Sequence, residues 1–321
     1  MATGTHGGEK LGGVKPAREK PARSWKRWLF PAGAVGLIVA AILSPAFLLN
    51  TAARLQPYDV AKDIAYADGS RRRLDVYRPS NARQVPIQAP IQAPVIVFFY
   101  GGSWQTGSKE TYLFLAATLA ARGFVVIVPD YRVYPEVKFP DFLGDGAKAV
   151  RWAKDNAAAY GGDPSRVFIM GHSAGAYIAA MLTIDEQWLH GVGLDPLRDV
   201  VGLIGVSGPY DFLPLKDEVL KTIFGGDRQP QTQPITFAVG RKPPALLITG
   251  AGDDVVNPGN STRLADKLRS QGNTATDTVY ARFGHTSILL SLAPFLAERF
   301  ALVRDIDAFT ARTRTANAGG S

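Results

Sequence analysis

The chain contains no cysteine, so disulfides, thiol nucleophiles and cysteine-held metal sites are excluded together. Histidine is nearly as scarce: His6, His172, His190 and His285 are the whole supply. Any chemistry that needs an imidazole must draw on one of these four positions. Charge is missing from one long stretch, Trp28–Leu49, which is almost wholly apolar. Residues 56–310 lack any composition break or linker, which reads as one domain. No long insertion separates Pro209 from Pro244, so a large lid is not expected.

The amino terminus stands apart from that domain. Residues 1–27 are rich in Gly, Lys, Arg and Pro and poor in aliphatics, a composition expected to stay disordered. Seven basic residues face two acids there, so +5 of the formal +8 lies in the leader and +3 in all the rest. The basic balance is therefore no sign of a nucleic-acid surface, and no nucleic-acid partner is expected. Residues 28–49 offer about 20 apolar positions, enough to cross a bilayer. The basic leader then stays cytoplasmic and the chain after Asn50 lies on the far side, as a single-pass membrane protein with an extracytoplasmic (in a bacterium, periplasmic) domain. The alternative is a signal peptide cleaved after Ala46 or Ala53, giving a secreted protein. A buried helix is a third reading, which the basic leader, Pro31 and Pro45 disfavour.

From Gln56 onward strands and helices alternate, the pattern of an α/β fold with a mostly parallel sheet. Strands are expected at 58–67, 72–77, 95–100, 124–129, 200–206, 245–249 and 278–281, with another leading into Gly171. Helices are expected at 110–122, 141–158, 260–271 and 286–310, and residues 311–321 read as a flexible tail. A tandem repeat of Pro-Ile-Gln-Ala within 86–94 forbids a central strand and reads as a tolerated insertion.

One stretch organises the rest. Val167–Ala176 reads Val-Phe-Ile-Met-Gly-His-Ser-Ala-Gly-Ala: an apolar strand, then Gly-x-Ser-x-Gly, then small residues opening a helix. In that context the motif is a sharp strand-to-helix turn that exposes the Ser173 hydroxyl at the carboxyl end of a parallel sheet. A serine hydroxyl needs a base, and the base needs an acid to fix its tautomer. In folds built around this turn the acid and then the base follow the serine in sequence. His285 meets that order, whereas His6 sits in the leader, His190 follows the serine too closely and His172 adjoins it. The loop after the strand at 245–249 carries Asp253 and Asp254; Asp253 is the expected acid and Asp254 the alternative. Tyr100-Gly-Gly-Ser-Trp104 follows an early buried strand, where the N–H groups of Gly102 and Ser103, with that of Ala174, would form an oxyanion hole.

Together Tyr100–Trp104, Asp130–Pro135, Tyr160–Pro164, Gly171–Gly175, Asp253 and His285 resemble the α/β-hydrolase carboxylesterases. The most similar branch contains the feruloyl/acetylxylan esterase-like proteins (BD-FAE), kynurenine formamidases and prenylcysteine methylesterases, and is related to the hormone-sensitive lipases. The resemblance spans about Arg72 to Phe309. It implies an eight-stranded α/β-hydrolase sheet and hydrolysis of small to medium carboxylic esters through an acyl-enzyme, with no metal or cofactor. Asp130, Tyr131, Arg132 and Asp145 are expected to be structural. The family usually has His where this chain has Tyr100, at a position that in the family mostly braces the loop while the following backbone supplies the donors; the change puts loop geometry and substrate range in question. Tyr100, Trp104 and Phe212 are candidates for lining the substrate pocket. Two alternatives remain: an amidase of the formamidase type, or a non-catalytic membrane-tethered binding module in which Tyr100 blocks the oxyanion hole.

Overall fold

The computed structural model describes residues 45–80, 93–297 and 299–318, together with residues 1 and 4. All of the leader but residues 1 and 4, nearly all of the expected span at Trp28–Leu49 and most of the tandem repeat lie outside the described residues. Among those described, no helix is long and apolar enough to cross a membrane.

The described residues form eight strands: β1 Tyr58–Ala65, β2 Arg73–Pro79, β3 Ala93–Phe99, β4 Val125–Pro129, β5 Gly162–His172, β6 Gly202–Val206, β7 Ala245–Gly250 and β8 Ala275–Tyr280. They form one sheet in the order β1-β2-β4-β3-β5-β6-β7-β8. β2 runs antiparallel to both of its neighbours, and every pairing from β4 through β8 is parallel. The central strands are continuous apolar runs because helices cover both faces. Val167, Phe168, Ile169 and Met170 of β5 are all fully buried, and each such side chain contributes about 1.5–3 kcal/mol.

Among the described residues nine helices accompany the sheet: α1 Pro45–Ala53, α2 Leu113–Ala121, α3 Asp141–Asn156, α4 Ala174–Ile184, α5 Gln187–His190, α6 Pro196–Asp199, α7 Glu218–Phe224, α8 Gly259–Ser270 and α9 Ala301–Ala318. α4 leaves β5 directly and is buried along its whole length, packed on β3, β5 and β6. Its small residues permit that depth. The strand order puts β5, β6 and β7 side by side, so the loops after them meet at one end of the sheet.

Two expectations are corrected. β8 begins at Ala275 rather than Thr278, because Thr276, Asp277 and Thr278 lie on an edge strand and need no apolar alternation. The helix expected over 286–310 is broken: a 3₁₀ turn covers Ser287–Leu292, and α9 starts only at Ala301. Pro294 lies in the interruption, and a proline has no N–H with which to carry a helix through.

A buried carboxylate ties the early strands to the helical layer. Asp145 of α3 accepts from Arg72 Nε at 2.9 Å and from Arg132 N, Nε and Nη2 at 3.1, 2.8 and 3.0 Å. Two guanidiniums around one carboxylate satisfy a charge that burial alone would penalise.

Candidate active site

β5 ends at His172 and α4 begins at Ala174, so Ser173 makes the whole turn between them, at φ 55° and ψ −124°. This is a strained backbone for a non-glycine residue. The flanking glycines are required by close approach. A Cβ on Gly171 would lie 2.2 Å from the Gly175 carbonyl oxygen, and one on Gly175 would lie 2.0 Å from that of Phe99. The Ser173 N–H donates to the Val206 carbonyl at 2.9 Å, tying the turn to β6.

Ser173 Oγ lies 2.9 Å from His285 Nε2, and His285 Nδ1 lies 2.9 and 3.0 Å from the two carboxylate oxygens of Asp253. A carboxylate can only accept, so Nδ1 carries the proton and Nε2 is left to accept from the serine. Ser173, Asp253 and His285 are all buried, while Asp254 next door is exposed. The loop itself makes that choice: Asp253 Oδ1 also accepts the N–H groups of Val255 at 3.1 Å and Val256 at 2.8 Å. Burial pushes the Asp253 carboxyl up, but the Val256 N–H and His285 outweigh it and hold it below the ordinary aspartate value. Its charge then stabilises the fold above the ordinary aspartate range, and that contribution is lost only as pH falls through the depressed value. Gly252 N donates to Phe283 O at 3.0 Å, so the loop carrying Asp253 and the loop carrying His285 are bonded to each other.

The glycine-rich loop lies against the serine: a Cβ on Gly101 would be 2.9 Å from Ser173 Cβ. Gly102, Ser103 and Trp104 follow with φ of 133°, 53° and 58°. The N–H groups of Gln105 and Thr106 both return to the Gly102 carbonyl at 3.0 Å, closing a tight turn. Three successive positive φ values turn this stretch away from strand geometry. Gly102 and Ser103 belong to this turn, and Ala174 opens α4 directly after Ser173.

Tyr100 does not line a pocket, which corrects the expectation for it. Its side chain is fully buried beneath the loop, stacked on Tyr131 at 4.8 Å and Tyr112 at 5.7 Å. Its hydroxyl donates to Asp130 Oδ1 at 2.7 Å and accepts from Arg71 Nη2 at 3.0 Å. Arg71 Nη2 also donates to Gly107 O at 2.8 Å, and the Tyr131 hydroxyl donates to the Tyr100 carbonyl at 2.7 Å. A tyrosine here braces both stems of the loop from below. Tyr100→Phe removes one link from this network and is expected to lower stability by about 1–3 kcal/mol, read as a shift of the urea midpoint at constant slope.

Trp104 is also buried, edge-on to Phe224 at 4.9 Å and to Tyr177 at 5.1 Å, and stacked on Phe212 at 6.1 Å. Of the three pocket candidates, Phe212 alone is half-buried rather than buried. The residue that the motif reading passed over is His172. Its ring lies against His285, with centroids 4.9 Å apart, and its Nε2 meets the His285 carbonyl at 3.0 Å. Its position beside the serine identified it as too close to be the base but carried no sign of this contact.

Known proteins match in sequence and in fold. The chain is 29% identical over 272 residues to isoprenylcysteine alpha-carbonyl methylesterase ICME of Arabidopsis thaliana, covering 78% of this chain and 62% of that protein. It is 29% identical over 241 residues to esterase LipC of Mycobacterium tuberculosis, covering 68% of this chain and 57% of LipC. The chain thus spans about three fifths of the length of these two relatives. Among solved structures, a truncated carbohydrate esterase from gut microbiota superposes with a TM-score of 0.68 at 22% identity, covering 81% of this chain and 98% of that one. Thermogutta terrifontis esterase 2 gives a TM-score of 0.61 at 23% identity, covering 77% and 94%. At these identities the structures speak for the fold. The sequence pattern of the BD-FAE family matches residues 74–268, from the second strand of the sheet to the helix after the Asp253 loop. The chain therefore belongs to the BD-FAE family of α/β-hydrolase esterases.

Proposed function

We propose that the chain is a serine carboxylesterase acting on small carboxylic esters through a Ser173 acyl-enzyme. The observation that carries this reading is the unbroken relay from Ser173 Oγ through His285 to Asp253 beside the glycine-rich loop.

In this reading Ser173 Oγ attacks the ester carbonyl as His285 Nε2 takes its proton, and Asp253 stabilises the imidazolium that forms. The oxyanion is met by the N–H groups of Gly102, Ser103 and Ala174. His285 then protonates the leaving alcohol, and a water that gives its proton to His285 attacks the acyl-enzyme, releasing the acid and restoring Ser173. The esterase names of the relatives support ester over amide substrates. Trp104, at the end of the glycine-rich stretch, is packed edge-on against Tyr177 and Phe224, and a bulky packed ring this near the loop supports a short acyl group.

The test is hydrolysis of p-nitrophenyl acetate, butyrate and octanoate. Acetate is expected to be turned over fastest, and octanoate fastest would overturn the short-acyl assignment. Asp253→Asn is expected to lower kcat by about 10³–10⁴-fold, since the amide stabilises the wrong imidazole tautomer. Asp254→Asn is expected to stay within about twofold of the parent, as exposed changes away from the chemistry usually do. Equal losses in both would overturn the assignment of the acid.

A further inference from the structure

We infer that His172 is a positioning residue, which holds the base loop against the nucleophile by donating a hydrogen bond to the backbone of His285. The inference rests on the serine-esterase reading above and adds a residue to it.

Residue 172 ends β5, immediately before the turn at Ser173. It does not reach solvent there. The ring is 4% exposed and is wedged between two loops of the site. On one side Nε2 lies 3.0 Å from the His285 carbonyl oxygen, with the two rings tilted by 45°. A carbonyl can only accept, so Nε2 carries the hydrogen and the tautomer is fixed. On the other side Nδ1 faces the glycine-rich loop: a Cβ on Gly101 would lie 3.1 Å from it. Nδ1 is buried and has no hydrogen-bond partner among the described residues.

Such an orphaned nitrogen is costly in a core, and a leucine or phenylalanine would fill the same space without that penalty. A histidine that served packing alone would be a poor choice. What the imidazole adds is the Nε2 donor, and that donor is spent on the backbone of the proposed base. Burial first, and repulsion by His285 second, hold the His172 pKa down at about 4, so the ring is neutral and keeps one tautomer through the neutral range.

The consequence is geometric. His285 is carried by a loop, and its ring must hold 2.9 Å contacts at both nitrogens at once. Its side-chain bonds fix the ring plane, and the bond from His172 fixes the backbone from which the ring projects. With the elbow supplying both the nucleophile and this clamp, the Ser173 to His285 distance is set within one rigid turn. Releasing the carbonyl lets the loop drift, and a displacement near 1 Å can cost about 10²-fold in rate. The loss falls on kcat, because the acyl and alcohol surfaces of the site are untouched.

The test compares the full chain with His172→Leu, His172→Gln and His172→Asn on p-nitrophenyl acetate, with a thermal midpoint for each. Glutamine carries an amide nitrogen at the same number of bonds from Cβ as histidine Nε2, whereas asparagine is one bond short. Expected are a fall in kcat of about 30–100-fold in His172→Leu with KM within about twofold, and recovery to within about fivefold of the parent in His172→Gln. His172→Asn is expected to stay low. If His172→Leu fails to fold, the Gln–Asn difference carries the test, since both place an amide in the same cavity. A folded His172→Leu with parental kcat, or Gln no better than Asn, overturns the positioning role while leaving the esterase reading intact. A folded parent that neither hydrolyses esters nor reacts with a fluorophosphonate overturns both.

Discussion

Ser173→Ala is expected to lower kcat/KM for p-nitrophenyl acetate by about 10⁴–10⁶-fold. The basis is that Ser173 Oγ is the atom His285 Nε2 reaches at 2.9 Å, and no cysteine exists to substitute for it. The residual rate would come from the oxyanion donors and binding alone, so KM should change little. Folding should survive. The alanine keeps the Cβ that already fits at φ 55°, and the N–H bond to Val206 O is made by the backbone. A thermal midpoint within a few degrees of the parent, with activity lost, is the expected pair of readings. Unchanged hydrolysis by purified Ser173→Ala would remove the serine from the mechanism.

The second large effect concerns the fold. Gly175→Ala is expected to cost about 4 kcal/mol or more, enough to leave most of the chain unfolded or insoluble. The added Cβ would lie 2.0 Å from Phe99 O, 2.4 Å from Phe99 C and 2.5 Å from Tyr100 O. All three are backbone atoms at the end of β3, so no flexible side chain can yield. Accommodation would push α4 off the strand that delivers the glycine-rich loop, and stability and site geometry would fail together. Gly144→Ala is the matching control. Gly144 lies within α3 with nothing beyond its own helical backbone inside 4 Å of its added Cβ, and there the same substitution should stabilise by about 0.5–1 kcal/mol. Circular dichroism of the two variants under one urea series distinguishes the outcomes, and a stable Gly175→Ala would contradict the packing described.

Much of this was legible before any coordinates because a few residues had little freedom. Four histidines and one strand-to-helix serine motif left His285 as the base in the required chain order, and the structure brings its ring to Ser173. The choice between Asp253 and Asp254 was not legible to the same degree. Adjacent residues on a loop differ only in which way the backbone turns them, and here that turn is fixed by the Val255 and Val256 N–H groups closing on Asp253. For Tyr100 the resemblance carries the bracing role, and only the place in the pocket fails, for a related reason. A residue at the end of a strand buried on both faces can point into the site or beneath it, and only the Asp130 and Arg71 partners decide. The first half of β8 carries no pattern because an edge strand has no need of an apolar signature, and the apolar run across 286–310 reads as one helix only if Pro294 is ignored. The His172 contact had no local signal, since its partner is 113 residues away in sequence.

The central claim, a nucleophilic Ser173 activated by His285, is tested most directly by reacting the folded chain with a fluorophosphonate and locating the adduct by intact-mass and peptide mass spectrometry. The account predicts one adduct per chain, on the peptide containing Gly171–Gly175, lost in Ser173→Ala and greatly slowed in His285→Gln. A folded chain that takes up no label, or takes it up equally well in Ser173→Ala, would contradict it.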